Sequence, residues 1–208
     1  IKYVKDPTPS GSMVLDMVQY PTETLQLRSG DCDDLSVLYA ALLSAIGIRT
    51  AIISYHDHVL VMFDTGIFRK NRGTLSTDTT LSVVHRGTVW IPVETTLTGQ
   101  GFVKAWHVAA EEFHRAVREG QRVSIIDLQK AWKDYPPVGF EKGRSDFELQ
   151  GLAEAVSRQR NQMEKAAEES IDRTAAELRK VSPRDKTHAA AIKNSLGLLA
   201  ARKGEYRE

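Results

Sequence analysis

The sequence predicts an α+β protein with an α-helical C-terminal region, and three observations predict it. Leu35 to Ile46 repeats apolar residues at helical spacing and is stopped by Gly47. Short β-rich runs separated by polar turn residues follow, from Thr50 to Val93. Beyond Tyr135-Pro136-Pro137-Val138-Gly139 the chain becomes charged and alanine-rich. Residues 1–135 are therefore read as one domain, 136–145 as a linker and 146–208 as a helical region.

The chain opens on a strand-like Ile1-Lys2-Tyr3-Val4. Ser29-Gly30-Asp31 is a turn that delivers a helix cap, and Asp33 and Asp34 fall in the first turn, where carboxylates suit the positive end of the helix dipole. Cys32 is thereby placed at a helix N-terminus. Thr50 to Tyr55 and His58 to Phe63 read as two strands of a hairpin around His56-Asp57. Asp64 to Thr80, polar and carrying Gly66 and Gly73, is expected to be a long surface loop. Leu81 to Val84 and Thr88 to Val93 make two further strands around His85-Arg86-Gly87, and Val103 to Arg118 and Ser124 to Trp132 carry helical patterning.

Asp146 to Val181 has apolar positions at Leu149, Leu152, Val156, Met163, Ile171 and Leu178, compatible with one long amphipathic helix or two, ended by Ser182-Pro183. In the last segment, Leu196-Gly197, Ala200 and Gly204-Glu205-Tyr206 resemble the first helix and turn of a tetratricopeptide repeat. Such repeats bury their apolar faces only against neighbours, so the natural protein is expected to continue beyond Glu208.

Composition narrows the function. With 28 basic and 27 acidic residues the formal net charge is +1, so no electrostatic footprint for nucleic acid or an anionic membrane is present. The longest apolar stretches, such as Val37 to Ile46, fall short of the ~20 residues of a membrane-spanning helix, and no direct membrane contact is expected. The single cysteine forms no internal disulfide, which leaves the compartment open and singles out Cys32.

A nucleophilic thiol needs its thiolate stabilised, a base within hydrogen-bond reach and a third group to orient that base. The helix dipole contributes only about 0.3–1 kcal/mol at an exposed site. Asp31, Asp33 and Asp34 oppose it, so an imidazolium beside the sulfur is required. His58 is the candidate: it opens a strand whose alternation puts Leu60 and Met62 on its face, so its ring can project toward the helix that carries Cys32. His56 projects to the same side. On the strand Trp90-Ile91-Pro92-Val93-Glu94 the period of two puts Trp90, Pro92 and Glu94 together, and Glu94 is the carboxylate that would hold one ring nitrogen of His58. An oxyanion hole would combine the Cys32 backbone N–H with a side-chain donor, Gln26 or Gln19.

Gly30-Asp31-Cys32-Asp33-Asp34 ahead of a Leu/Ala helix ending at Gly47-Ile48, then a strand led by His58, then Trp90-Ile91-Pro92-Val93-Glu94, resembles the three blocks of the transglutaminase-like superfamily, in the order Cys, His, acid. The resemblance spans about Tyr3 to Thr96. It implies a papain-like core, with a nucleophile helix packed on an antiparallel sheet, and cysteine-dependent chemistry on a protein or peptide substrate, with no cofactor and no metal. Domains of this brevity resemble the hydrolytic, bacterial branch more than the cross-linking one, and the resemblance alone points to an extracytoplasmic or periplasmic location. Two positions depart from the pattern: Glu94 stands where the family usually carries Asp, and Val59 where it usually carries an aromatic residue.

Two further readings follow from the residues. One makes the fold a scaffold while the helical region recruits a protein partner, an expectation motivated by the partial repeat. The other, a metal site of Cys32, His56 and His58, lacks the paired ligand spacing such sites show.

Overall fold

The computed structural model describes residues 1–5, 17–55, 58–76, 78–138 and 151–204. These divide into two compact units, Ile1–Leu152 and Ala153–Glu208. His56, the 139–145 part of the expected linker, Leu149, and Glu205 and Tyr206 of the repeat-like segment lie outside the described residues.

The first unit is α+β. A five-stranded antiparallel sheet runs in the order β5-β6-β4-β3-β7, formed by β3 (Thr50–Tyr55), β4 (His58–Phe68), β5 (Val83–His85), β6 (Thr88–Val93) and β7 (Val123–Asp127). β1 (Lys2–Tyr3) and β2 (Ser29–Gly30) form a small parallel pair ahead of the Cys32 helix. Around them lie α1 (Pro21–Leu27), α2 (Cys32–Ala45), α3 (Phe102–Arg118) and α4 (Leu128–Asp134).

The period of two sorts the sheet's side chains between two clusters. Leu60, Met62, Ala51, Ile53 and Trp90 join Ala109 and Phe113 of α3, whereas Val61, Ile91 and Val93 join Ala40 of α2 and Ala105 of α3. Alanines at the contact positions of α3 let the helix approach the sheet closely, and the Glu94 N–H donates to the Ala105 carbonyl at 3.0 Å. The end of β6 is thereby tied to α3.

Two segments differ from the sequence reading. β4 continues past Phe63 to Phe68 with an irregularity between Asp64 and Phe68, and two short 3-10 turns, Arg69–Thr74 and Thr79–Leu81, occupy much of the expected loop. Asp64 explains the continuation: its carboxylate is paired with Arg49 and accepts the Gly66 N–H at 2.9 Å, so a polar strand end is satisfied without leaving the sheet. Val123–Asp127 is a strand, where the patterning of Ser124 to Trp132 predicts a helix. Val123 and Ile125 pack on the core while Ser124 and Ile126 are exposed, a period of two that the apolar residues of the following α4 disguise.

The second unit is helical, with α5 (Leu152–Lys180) and α6 (Lys186–Arg202). Asp185 caps α6 by accepting the His188 N–H at 2.7 Å. No helix among the described residues is long and apolar enough to cross a membrane.

Candidate active site

Cys32 is the first residue of α2, and a buried carboxylate two residues on fixes that helix end. Asp34 is 1% exposed, accepts the Gln19 N–H at 2.6 Å through Oδ1 and the Asp31 N–H at 3.2 Å through Oδ2. Asp31 is the helix cap: its Oδ1 accepts the Asp33 and Asp34 N–H groups at 3.2 and 3.3 Å. Burial and the neighbouring Asp33 carboxyl push the Asp31 acid up to about 6, against the backbone hydrogen bonds. Gly30 is required beneath this arrangement, because a Cβ there would stand 2.6 Å from the Asp34 Cβ. One turn further along, Ser36 Oγ shares a 3.0 Å hydrogen bond with Thr95 Oγ1, a buried tie between α2 and the residue after Glu94.

His58 opens β4, and its Nε2 lies 2.7 Å from Glu94 Oε2. The neighbouring Cys32 side chain first, and the hydrogen bond to Glu94 second, push the imidazole up to about 10 against the opposing effect of burial. Glu94 is 4% exposed. Burial alone would raise its acid, but the hydrogen bonds from His58 and from the Thr96 N–H and hydroxyl outweigh it and hold the carboxyl below its ordinary value. The environment therefore favours an imidazolium paired with the Glu94 carboxylate.

His58 at the start of β4 and Glu94 just past β6 thus meet, and Cys32 at the start of α2 is near enough to act on the His58 ring. The two glutamines separate. Gln26 is exposed on α1, whereas Gln19 is tied to Asp34 through its backbone and has a buried Oε1 without a hydrogen-bond partner among the described residues. Three neighbours of the site are not among the residues that the sequence singles out. Tyr3 is delivered by the β1–β2 pair, and burial first, then the Cys32 and Asp31 charges, raise its hydroxyl. Tyr55 stands edge-on to the His58 ring, with centroids 5.8 Å apart. Glu112 of α3 brings a carboxylate oxygen within 4.8 Å of the donor atoms of both His58 and Glu94. The signal for Glu112 is a carboxylate in phase with Ala105 and Ala109 on one helix stripe.

Among the described residues there are two sets of potential metal ligands, His58-Glu94-Glu112 and Asp31-Cys32-Asp33. The hydrogen bonds just described already engage His58 and Glu94 in the first and Asp31 in the second. No protein-family model matches the chain, and no curated protein or solved structure matches it.

Proposed function

We propose that the chain is a cysteine-dependent amide hydrolase, a protease or amidase, that acts on a protein or peptide substrate through Cys32, His58 and Glu94. The observation that carries this is the His58 ring 2.7 Å from the buried Glu94 carboxylate, with the Cys32 side chain near enough to raise the imidazole. The resemblance of the three sequence blocks to the transglutaminase-like superfamily supports the same assignment, with a papain-like arrangement of helix and sheet.

In the first half-reaction the Cys32 sulfur attacks the amide carbonyl, the S–C bond forms and His58 gives its proton to the departing amine as the C–N bond breaks. Water then attacks the thioacyl carbon and His58 takes its proton. The C–S bond breaks, the acid leaves and the thiol is restored. Glu94 stays ionised and holds the imidazole in place. The Asp33 and Asp34 N–H groups are engaged by the cap, so the Cys32 N–H and the Gln19 amide are the donors assigned to the oxyanion, in preference to Gln26.

Incubating the chain with a peptide-amide library, with and without a primary amine, and reading products by mass spectrometry tests this. Hydrolysed products are expected from the native chain and none from Cys32→Ala. Turnover that survives Cys32→Ala would refute the nucleophile, and products joined to the amine would identify a cross-linking enzyme in place of a hydrolase.

A further inference from the structure

Glu112 has no part in the chemistry above, yet it sits where a bystander carboxylate would be costly. Ala105, Ala109 and Ala116 of α3 are buried, and Glu112 lies on the same stripe, half-buried, while its neighbour Glu111 is exposed. A carboxylate in that position needs partners. The Tyr55 hydroxyl donates to its Oε2 at 3.2 Å, and the guanidinium of Arg115 on the same helix comes within 3.9 Å of its Oε1. Its carboxylate also lies within 4.8 Å of the donor atoms of His58 and Glu94.

We propose that Glu112, anchored by Tyr55, is a positioning residue that keeps the Glu94 carboxylate aimed at His58. This role rests on the Cys32–His58–Glu94 assignment. Two carboxyl groups so close do not both ionise cheaply, and one keeps a proton. Burial, and next the Glu94 charge, push the Glu112 acid up, whereas Glu94 is held down, so Glu112 is the partner that carries the proton. A protonated carboxyl is a donor, and the Glu94 carboxylate, within 4.8 Å, is the charged acceptor open to it.

With the Thr96 N–H and hydroxyl donating to Glu94 Oε1 and His58 to Oε2, a fourth donor fixes the plane of the carboxylate. As pH rises and Glu112 ionises, that donor is lost and a second negative charge appears beside Glu94. Among the described residues, the groups that face Glu112 are Glu94 after β6, His58 on β4, Tyr55 on β3 and Arg115 on its own helix.

Because Cys32 is the sole cysteine, the rate of its alkylation by iodoacetamide across pH reads this site without a known substrate. The comparison uses the full chain, as wild type, His58→Ala, Glu112→Gln, Glu112→Ala and Tyr55→Phe. Gln donates an amide N–H to Glu94 and accepts from Tyr55, so Glu112→Gln is expected to react within about twofold of wild type where Glu112 holds its proton and to lack the change that Glu112 ionisation brings as pH rises. Glu112→Ala is expected to be slower by about tenfold, the scale of a lost hydrogen bond to a charged group, and Tyr55→Phe by less in the same direction.

A Glu112→Ala profile that tracks wild type, while His58→Ala is at least about tenfold slower, would overturn the role of Glu112 and leave the Cys–His pair standing. Equal slowing by Gln and Ala with the pH profile unchanged would also overturn it, since that marks a structural role. An unaltered rate in His58→Ala would instead remove the pair on which the role depends.

Discussion

In the unit Ile1–Leu152, Asp34, Ser36, Glu94 and Thr95 are buried and hydrogen-bonded, whereas in Ala153–Glu208 the buried side chains among the described residues are Ala175 and Leu199. The charges of the second unit pair along its surface: Arg160 with Glu164, Lys165 with Glu169, Lys180 with Glu177, and Lys203, just past α6, with Asp172 of α5. Burying polar groups costs stability unless every one finds a partner, and it fixes orientation when it does. The first unit accepts that cost around Cys32, where geometry determines reactivity. The second draws on helix propensity and local pairs, so single polar changes there should matter little.

The sharpest way to break this contrast is Asp34→Ala. It strands the Gln19 and Asp31 N–H groups and empties the space over Gly30. The expected loss is about 3 kcal/mol or more, from hydrogen bonds to a charged group and from unsatisfied donors, read as a shift of the urea midpoint. Cys32 alkylation should slow with it, because the cap and the Gln19 segment lose a common anchor. A variant as stable as wild type would mean that buried polar groups do not hold this unit together.

The pH dependence of stability is a smaller effect and tests the same idea. The folded imidazole of His58 is raised from 6.5 to about 10, so its contribution is complete below 6.5 and is lost as pH rises through about 10. Glu94 is lowered, so its contribution is present above its ordinary value of 4.5 and is lost as pH falls through its folded value. The lead in melting temperature of wild type over His58→Ala should therefore be flat in mildly acidic solution and shrink as pH climbs toward 10. A lead that does not vary with pH would show that His58 contributes packing without an ion pair.

Much of this site is legible in the sequence because its members occupy positions where sequence rules are strict. Cys32 follows a cap, Gly47 ends the helix in the left-handed region with φ of 82°, and strand alternation assigns His58 and Glu94 to a common environment. Asp34 is legible only as a first-turn carboxylate, since its second role, reaching Gln19 fifteen residues away, depends on a contact no local pattern encodes. Glu112 and Tyr55 are hidden for the same reason: 57 residues separate them, and an acid inside a charged helix looks solvated until the sheet is placed against it. β7 escapes local pattern because Ser124 to Ile126 runs into the apolar residues of α4, and tertiary pairing with β3 decides between the two periods.

The smallest effect lies along α5, where order within a pair should decide which one counts. Arg160–Glu164 and Lys165–Glu169 put the cation on the N-terminal side, the weaker arrangement, whereas Glu177–Lys180 puts the acid first and places Lys180 in the last turn, where a cation suits the helix dipole. The Glu177–Lys180 contact is also the shortest of the three at 2.8 Å. Double-mutant cycles should give a coupling of up to about 0.5 kcal/mol for Glu177–Lys180 and less for Arg160–Glu164, both fading at about 1 M salt as charge is screened. Circular dichroism melts of the full chain provide the measurement. A coupling at Arg160–Glu164 as large as that at Glu177–Lys180 would show that helix-end electrostatics do not rank these pairs. One several times larger would mean that the surface charges of this unit hold its structure as firmly as the buried polar groups hold the surroundings of Cys32.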